Sequence, residues 1–170
     1  VFASASADVE FVGVSIDYGE GPILEGLSFK VAAGECVAIV GPSGIGKSSI
    51  LGLVTRFIEP STGTISVNSK NIREYTLQSL RRHVGVVGQL PFLFDCTIEE
   101  NLRVGNSTAT DEQVQAACVA AYAHDFISKL PDGYQTVVGA KGGRLSVGER
   151  QRICIARAIL ADTPILLLDE

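Results

Sequence analysis

Hydrophobic and polar positions change period several times along this chain, and each change marks a predicted element. Glu10-Phe11-Val12-Gly13-Val14-Ser15-Ile16-Asp17-Tyr18 alternates, as a half-buried strand does, and Gly19-Glu20-Gly21-Pro22 turns it. Leu27 to Val31 alternates again, so an antiparallel β lobe is expected first. Cys36-Val37-Ala38-Ile39-Val40 does not alternate. It is short, wholly apolar and rich in β-branched residues, which predicts a strand buried on both faces. The apolar and small residues Ser49 to Val54 predict a helix behind it. After the break at Glu59-Pro60-Ser61-Thr62-Gly63, strands are predicted at Thr64–Val67 and Val84–Val87, with a short helix at Leu77–Arg82 between them. Thr97-Ile98-Glu99-Glu100 opens a helix with a capping box, and Asp111 to Leu130 carries a helical pattern. A long helix is expected from about Gly148 to Leu160. Ile165-Leu166-Leu167-Leu168 is then a second fully buried strand.

The stretch between the first buried strand and its helix carries the chemistry. Gly41, Pro42, Ser43, Gly44, Ile45, Gly46, Lys47 and Ser48 spell G-x-x-x-x-G-K-[ST], followed by Ser49. In this strand–loop–helix setting the glycines let backbone N–H groups point at phosphate oxygens, and the helix N-terminus adds its positive dipole end. Lys47 is expected to reach the β- and γ-phosphates and Ser48 to place a hydroxyl on Mg²⁺. Gln89 ends a strand, where ligands bind in open α/β sheets, so it could touch the metal and an attacking water. Ser146 stands where a helix N-cap belongs, which suggests a second anion site. Asp169 and Glu170 follow four aliphatics and could hold Mg²⁺ and polarise water.

Composition narrows the setting. The chain has 170 residues, 46% of them hydrophobic and 19% charged, enough for one domain with a real core. Residues 1–8, rich in Ala and Ser, read as a linker ahead of a domain over residues 9–170, with a helical insert over about 97–150. A net charge of −5 without a Lys/Arg cluster argues against a nucleic-acid surface. Cys36, Cys96, Cys118 and Cys154 lack metal-ligand spacing and are expected to be buried reduced thiols, which suggests a reducing compartment such as cytosol. No run is long enough for a membrane span.

In this order the motifs resemble the nucleotide-binding domain of ABC transporters, over nearly the whole chain from Val9. Tyr18 resembles the aromatic that stacks on adenine, and Gly41–Ser48 the phosphate loop. Gln89 resembles the Q-loop glutamine, Leu145-Ser146-Val147-Gly148-Glu149 the L-S-G-G-Q signature, and Ile165–Asp169 with Glu170 the Walker B strand and its catalytic glutamate. The resemblance implies an α/β fold: a P-loop NTPase core with a mostly parallel sheet, an N-terminal antiparallel β lobe and a helical subdomain. It also implies ATP and Mg²⁺ as ligands, with Ser48, Gln89 and Asp169 on the metal, and Glu170, Gln89 and Lys47 in catalysis. The resemblance further implies that two such domains pair head to tail, with Ser146 and Gly148 of one facing the ATP of the other, and that coupled membrane segments turn closure and hydrolysis into transport.

The wording from Ser79 to Phe94, with Thr97–Leu102 behind it, is most similar to the exporter branch and, within it, to half-transporters. There membrane helices usually precede this domain. The chain is therefore expected to start after them, and to stop before the D-loop and switch histidine, so that alone it would not turn over ATP. Val147 replaces the first signature glycine; were that position at positive φ, Val147 would strain it. Glu149 replaces a glutamine. Two other readings remain: a non-hydrolysing regulatory half-site, and a clamp on DNA or the ribosome, which the lack of heptads and of a basic surface disfavours.

Overall fold

The computed structural model describes residues 7–17, 19 and 21–169. The chain divides into two compact units, Val1–Val84 and Gly85–Glu170.

The first unit is built on an antiparallel sheet in the order β2-β1-β3-β4, from β1 (Val9–Asp17), β2 (Pro22–Val31), β3 (Thr62–Val67) and β4 (Lys70–Asn71). The alternation seen in the sequence becomes the two faces of β1 with one change of phase, because the register shifts between Phe11 and Val14, across Gly13 (φ 59). Phe11, Val14 and Ile16 are buried, Val12 is exposed, and Phe11 stacks on its cross-strand partner Phe29 at 4.5 Å. The last two residues of the expected linker are tied down. Ala7 is buried, and Asp8 bonds Asn68 through its backbone and pairs with Lys30 at 2.9 Å.

Helix α1 (Lys47–Val54) buries Ile50, Leu53 and Val54. It ends in a Schellman motif, with Phe57 N–H on Gly52 O and Arg56 N–H on Leu53 O. The left-handed position falls on Arg56 (φ 52) rather than a glycine. The Arg56 side chain recovers part of that cost by donating to the carbonyls of Ile72 and Tyr75, while Arg81, from α2 (Leu77–Arg81), donates to those of Thr55 and Arg56. These bonds fix the C-terminal end of α1.

One expected strand is not seen: Cys36–Val40 forms no regular element, and its side chains are exposed, Val40 at 87%. An apolar run states a preference for burial, but a strand exists only where a neighbour takes its N–H and C=O groups, and among the described residues no strand pairs with this one.

The second unit contains a two-stranded sheet of β5 (Val84–Val87) and β6 (Ile165–Leu168). Gly85 lies beside Thr163 and Leu166, and Asp169 N–H donates to Val87 O at 2.9 Å, so the two strands run in the same direction. The connection between them is helical, as a parallel pair requires. It comprises α3 (Ile98–Arg103), α4 (Asp111–Ala120), α5 (His124–Ile127) and α6 (Val147–Ala161). Leu93, Ile98, Leu102, Val114, Ile127 and Ile153 lie at the centre of their shared core. At Gly105 a Cβ would stand 2.3 Å from the Arg157 carbonyl oxygen, so only glycine allows this approach of the α3 end to α6. The helix expected over Asp111–Leu130 is two helices. Tyr122 (φ 54) closes a second Schellman motif, with Ala123 N–H on Cys118 O at 2.7 Å and Tyr122 N–H on Val119 O at 3.0 Å. The apolar period runs through that turn, which is why the sequence hid it. Among the described residues no helix is long and apolar enough to cross a membrane.

Candidate nucleotide site

Gly41 to Ser49 leads into α1 from a left-handed Gly46 (φ 96), with Gly44 also at positive φ (83). A Cβ at Gly46 would lie 3.0 Å from Ile23 and 3.1 Å from Leu24 of β2, so the lobe backs the loop at the point where it turns into the helix. At Gly44 nothing lies within 4 Å of such a Cβ. Lys47 folds its ammonium back over the loop, donating to the carbonyls of Gly41 and Pro42, both at 2.9 Å. Ile45 N–H bonds Pro42 O at 3.5 Å. Pro42, Ser43 and Ser48 are exposed, and Ser49 is half-buried. The loop thus offers a cation and the start of a helix on an open surface, with Gly44 and Gly46 at its positive-φ positions. That donor set fits a polyphosphate.

In the second unit, Gln89 lies exposed in a bend two residues beyond β5, and Asp169 follows β6. The Asp169–Val87 bond brings both to the same end of the strand pair. Ser146 is the N-cap of α6, as expected, with φ −64 and ψ 161. Its hydroxyl accepts Glu149 N–H at 3.3 Å and donates to Glu149 Oε2 at 2.8 Å, and its N–H donates to the same oxygen at 2.7 Å. These bonds hold the Glu149 carboxyl below its ordinary pKa, the Ser146 hydroxyl first among the causes. The expectation of strain at Val147 is overturned. Val147 is the first residue of α6 and is not among the residues at positive φ, so a β-branched side chain sits there without backbone cost. Tyr18 and Glu170, expected on adenine and on the attacking water, lie outside the described residues.

A family model described as ABC transporter matches residues 24–170. The chain belongs to the ABC transporter family. It is 51% identical over 166 residues to the mitochondrial iron-sulfur clusters transporter ABCB7 of Homo sapiens, covering 97% of this chain and 22% of that protein. It is 47% identical over 162 residues to the ATP-dependent lipid A-core flippase of Desulfotalea psychrophila, covering 95% of this chain and 28% of that protein. A solved bacterial Atm1-family ABC exporter with ATP bound superposes with a TM-score of 0.95 at 45% identity, covering all of this chain and 30% of that one. The chain is an exporter-type ABC nucleotide-binding domain with the P-loop NTPase α/β fold, and it spans less than a third of these relatives.

Three participants were not expected: Glu149 as the capping-box partner of Ser146, Asn101 and Arg157. Ser146-Val147-Gly148-Glu149 has the same capping-box spacing as Thr97–Glu100, a signal that was present in the chain. Asn101 and Arg157 gave none. Asn101 is fully buried, and its amide bonds both the N–H and the carbonyl of Phe94, at 2.9 and 3.0 Å. Arg157 on α6 grips Asn101 O and Oδ1 and donates to Phe92 O. Together they pin the loop that follows Gln89. The cysteines are free, but against the expectation of burial only Cys118 is buried; Cys96 and Cys154 are half-buried, and Cys36 is exposed because the run it opens is not packed as a strand.

Proposed function

We propose that this chain is the ATP-binding and ATP-hydrolysing motor of an ABC exporter, which couples head-to-tail pairing with a second nucleotide-binding domain to transport through the membrane domain of the same transporter. The observation that carries the reading is the Gly41–Ser48 loop, where Lys47 is drawn over loop carbonyls at the start of α1. Two of the three ammonium N–H groups rest on those carbonyls, so an arriving phosphate exchanges neutral acceptors for charged ones. Gly41, Pro42, Ser43, Gly44, Ile45, Gly46, Ser48 and Ser49 surround the phosphates in this reading, Tyr18 stacks on adenine, and Ser146 and Gly148 face the ATP of the partner. Ser48, Gln89 and Asp169 would hold Mg²⁺, which when bound neutralises phosphate charge. Glu170 takes the proton of the attacking water, with Gln89 orienting it. The domain lies on the cytosolic or organelle-matrix side of the membrane and needs no nucleic acid. The helical start of α6 at Val147, without positive φ, supports this reading over a non-hydrolysing half-site.

The test is phosphate release by the purified full-length protein and its Lys47→Ala variant. Loss of one such electrostatic donor is expected to lower kcat by about 10²–10³. Equal turnover by the two proteins would overturn the reading.

A further inference from the structure

Helices α3, α4 and α6 all open with capping boxes, two closed by a glutamate and one by a glutamine. Where the third helical residue is glutamate, the hydroxyl donates to it: Thr97 to Glu100 at 3.0 Å and Ser146 to Glu149 at 2.8 Å. Where it is Gln113, the amide oxygen takes the Thr110 N–H at 2.8 Å and the Thr110 hydroxyl accepts Gln113 N–H at 3.3 Å. A carboxylate in this position takes the hydroxyl proton as well as the backbone one.

A serine hydroxyl has one proton. At Ser146 that proton and the backbone N–H both go to one oxygen of Glu149. The approach is open among the described residues: Ser146 and Gly148 are exposed, Val147 is 60% exposed, and a Cβ at Gly148 would meet nothing within 4 Å. We propose that Glu149 is an internal rival of the partner's γ-phosphate for Ser146, so that nucleotide-driven pairing must first draw the hydroxyl away from the carboxylate. This rests on the reading of Ser146 as a donor to the partner's ATP. Glu149 then sets the nucleotide concentration at which the domains close. The rivalry is between two anions, so substitution by a neutral isostere relieves it while keeping the cap, as Gln113 does on α4.

The experiment titrates the full-length protein with Mg²⁺ and a non-hydrolysable ATP analogue, following closure by energy transfer between dyes on the two nucleotide-binding domains. Glu149→Gln is expected to lower the half-saturating concentration about five- to tenfold, since a charge-assisted bond is about twice as strong as a neutral one. Ser146→Ala should raise it, and in a Ser146→Ala background most of the gain from Glu149→Gln should vanish. A full gain persisting in that background would mean that Glu149 acts by bulk repulsion, which overturns the proposal. So would an unchanged or raised concentration in Glu149→Gln when Ser146→Ala still weakens closure. No effect of Ser146→Ala would instead overturn the placement of Ser146 at the phosphate. Circular dichroism of Glu149→Gln, with unchanged helicity expected, separates these outcomes from loss of α6.

Discussion

Replacing Asn101 by alanine tests how the loop after Gln89 is held. The amide accepts Phe94 N–H at 2.9 Å and Arg157 Nη2 at 3.0 Å, and donates to the carbonyls of Phe94 and Thr97, both at 3.0 Å. The two carbonyls have other donors: Phe94 O keeps Cys96 N–H at 2.9 Å, and Thr97 O keeps the backbone N–H of residue 101 at 3.1 Å. The real losses are therefore two donors, Phe94 N–H and one N–H of the Arg157 guanidinium. Stranding each costs about 1–3 kcal/mol. With a small cavity added, Asn101→Ala should cost about 3–5 kcal/mol. Asn101→Asp keeps the one oxygen that accepts from both donors and faces Arg157, so it should cost less than alanine does. At about 2–4 °C per kcal/mol for a chain of this size, the alanine variant should melt roughly 10 °C lower. Hydrogen exchange gives the local reading, with the Phe94 amide losing protection by about a hundredfold. A melting point within about 2 °C of the parent with Phe94 still protected would refute the reasoning, as would aspartate proving worse than alanine.

The remaining predictions concern charge, thiols and the base. Glu149 is held ionised by Ser146 and its pKa is lowered from 4.5, so its contribution to stability is present above that value and lost as pH falls through the lower folded value. Acid titration of α6 helicity should show this loss below pH 4.5 in the parent and not in Glu149→Gln; matching curves would remove the cap as its cause. Burial raises the thiol pKa of Cys118 and Cys154, so alkylation at neutral pH, read by mass spectrometry, should label exposed Cys36 first and Cys118 last. Early labelling of Cys118 would contradict its place in the core. Tyr18→Ala should raise the ATP dissociation constant of the full-length protein roughly ten- to a hundredfold, the scale of aromatic–base stacking. An unchanged titration would return Tyr18 to a strand-end residue.

What the sequence determined alone was whatever depends on near neighbours in the chain. The polar–apolar alternation of Glu10–Asp17 marked the strand β1, though not the change of phase between Phe11 and Val14, and the Gly41–Ser48 spacing became a loop into a helix, because a glycine at positive φ and a helix start are local events. Ser146 was legible as an N-cap for the same reason. Tertiary structure decided what depends on a distant partner. Cys36–Val40 has the composition of a buried strand, but its pairing must come from elsewhere. The turn at Tyr122 interrupts a helical pattern because a Schellman motif can form at a non-glycine residue when the helices on both sides pack into one core. The phase of Val147 was set by where α6 begins, which made a supposed strain an ordinary helical residue. Asn101 and Arg157, separated by 56 positions, meet only because α3 and α6 pack together, and no local pattern in either segment announces that bond.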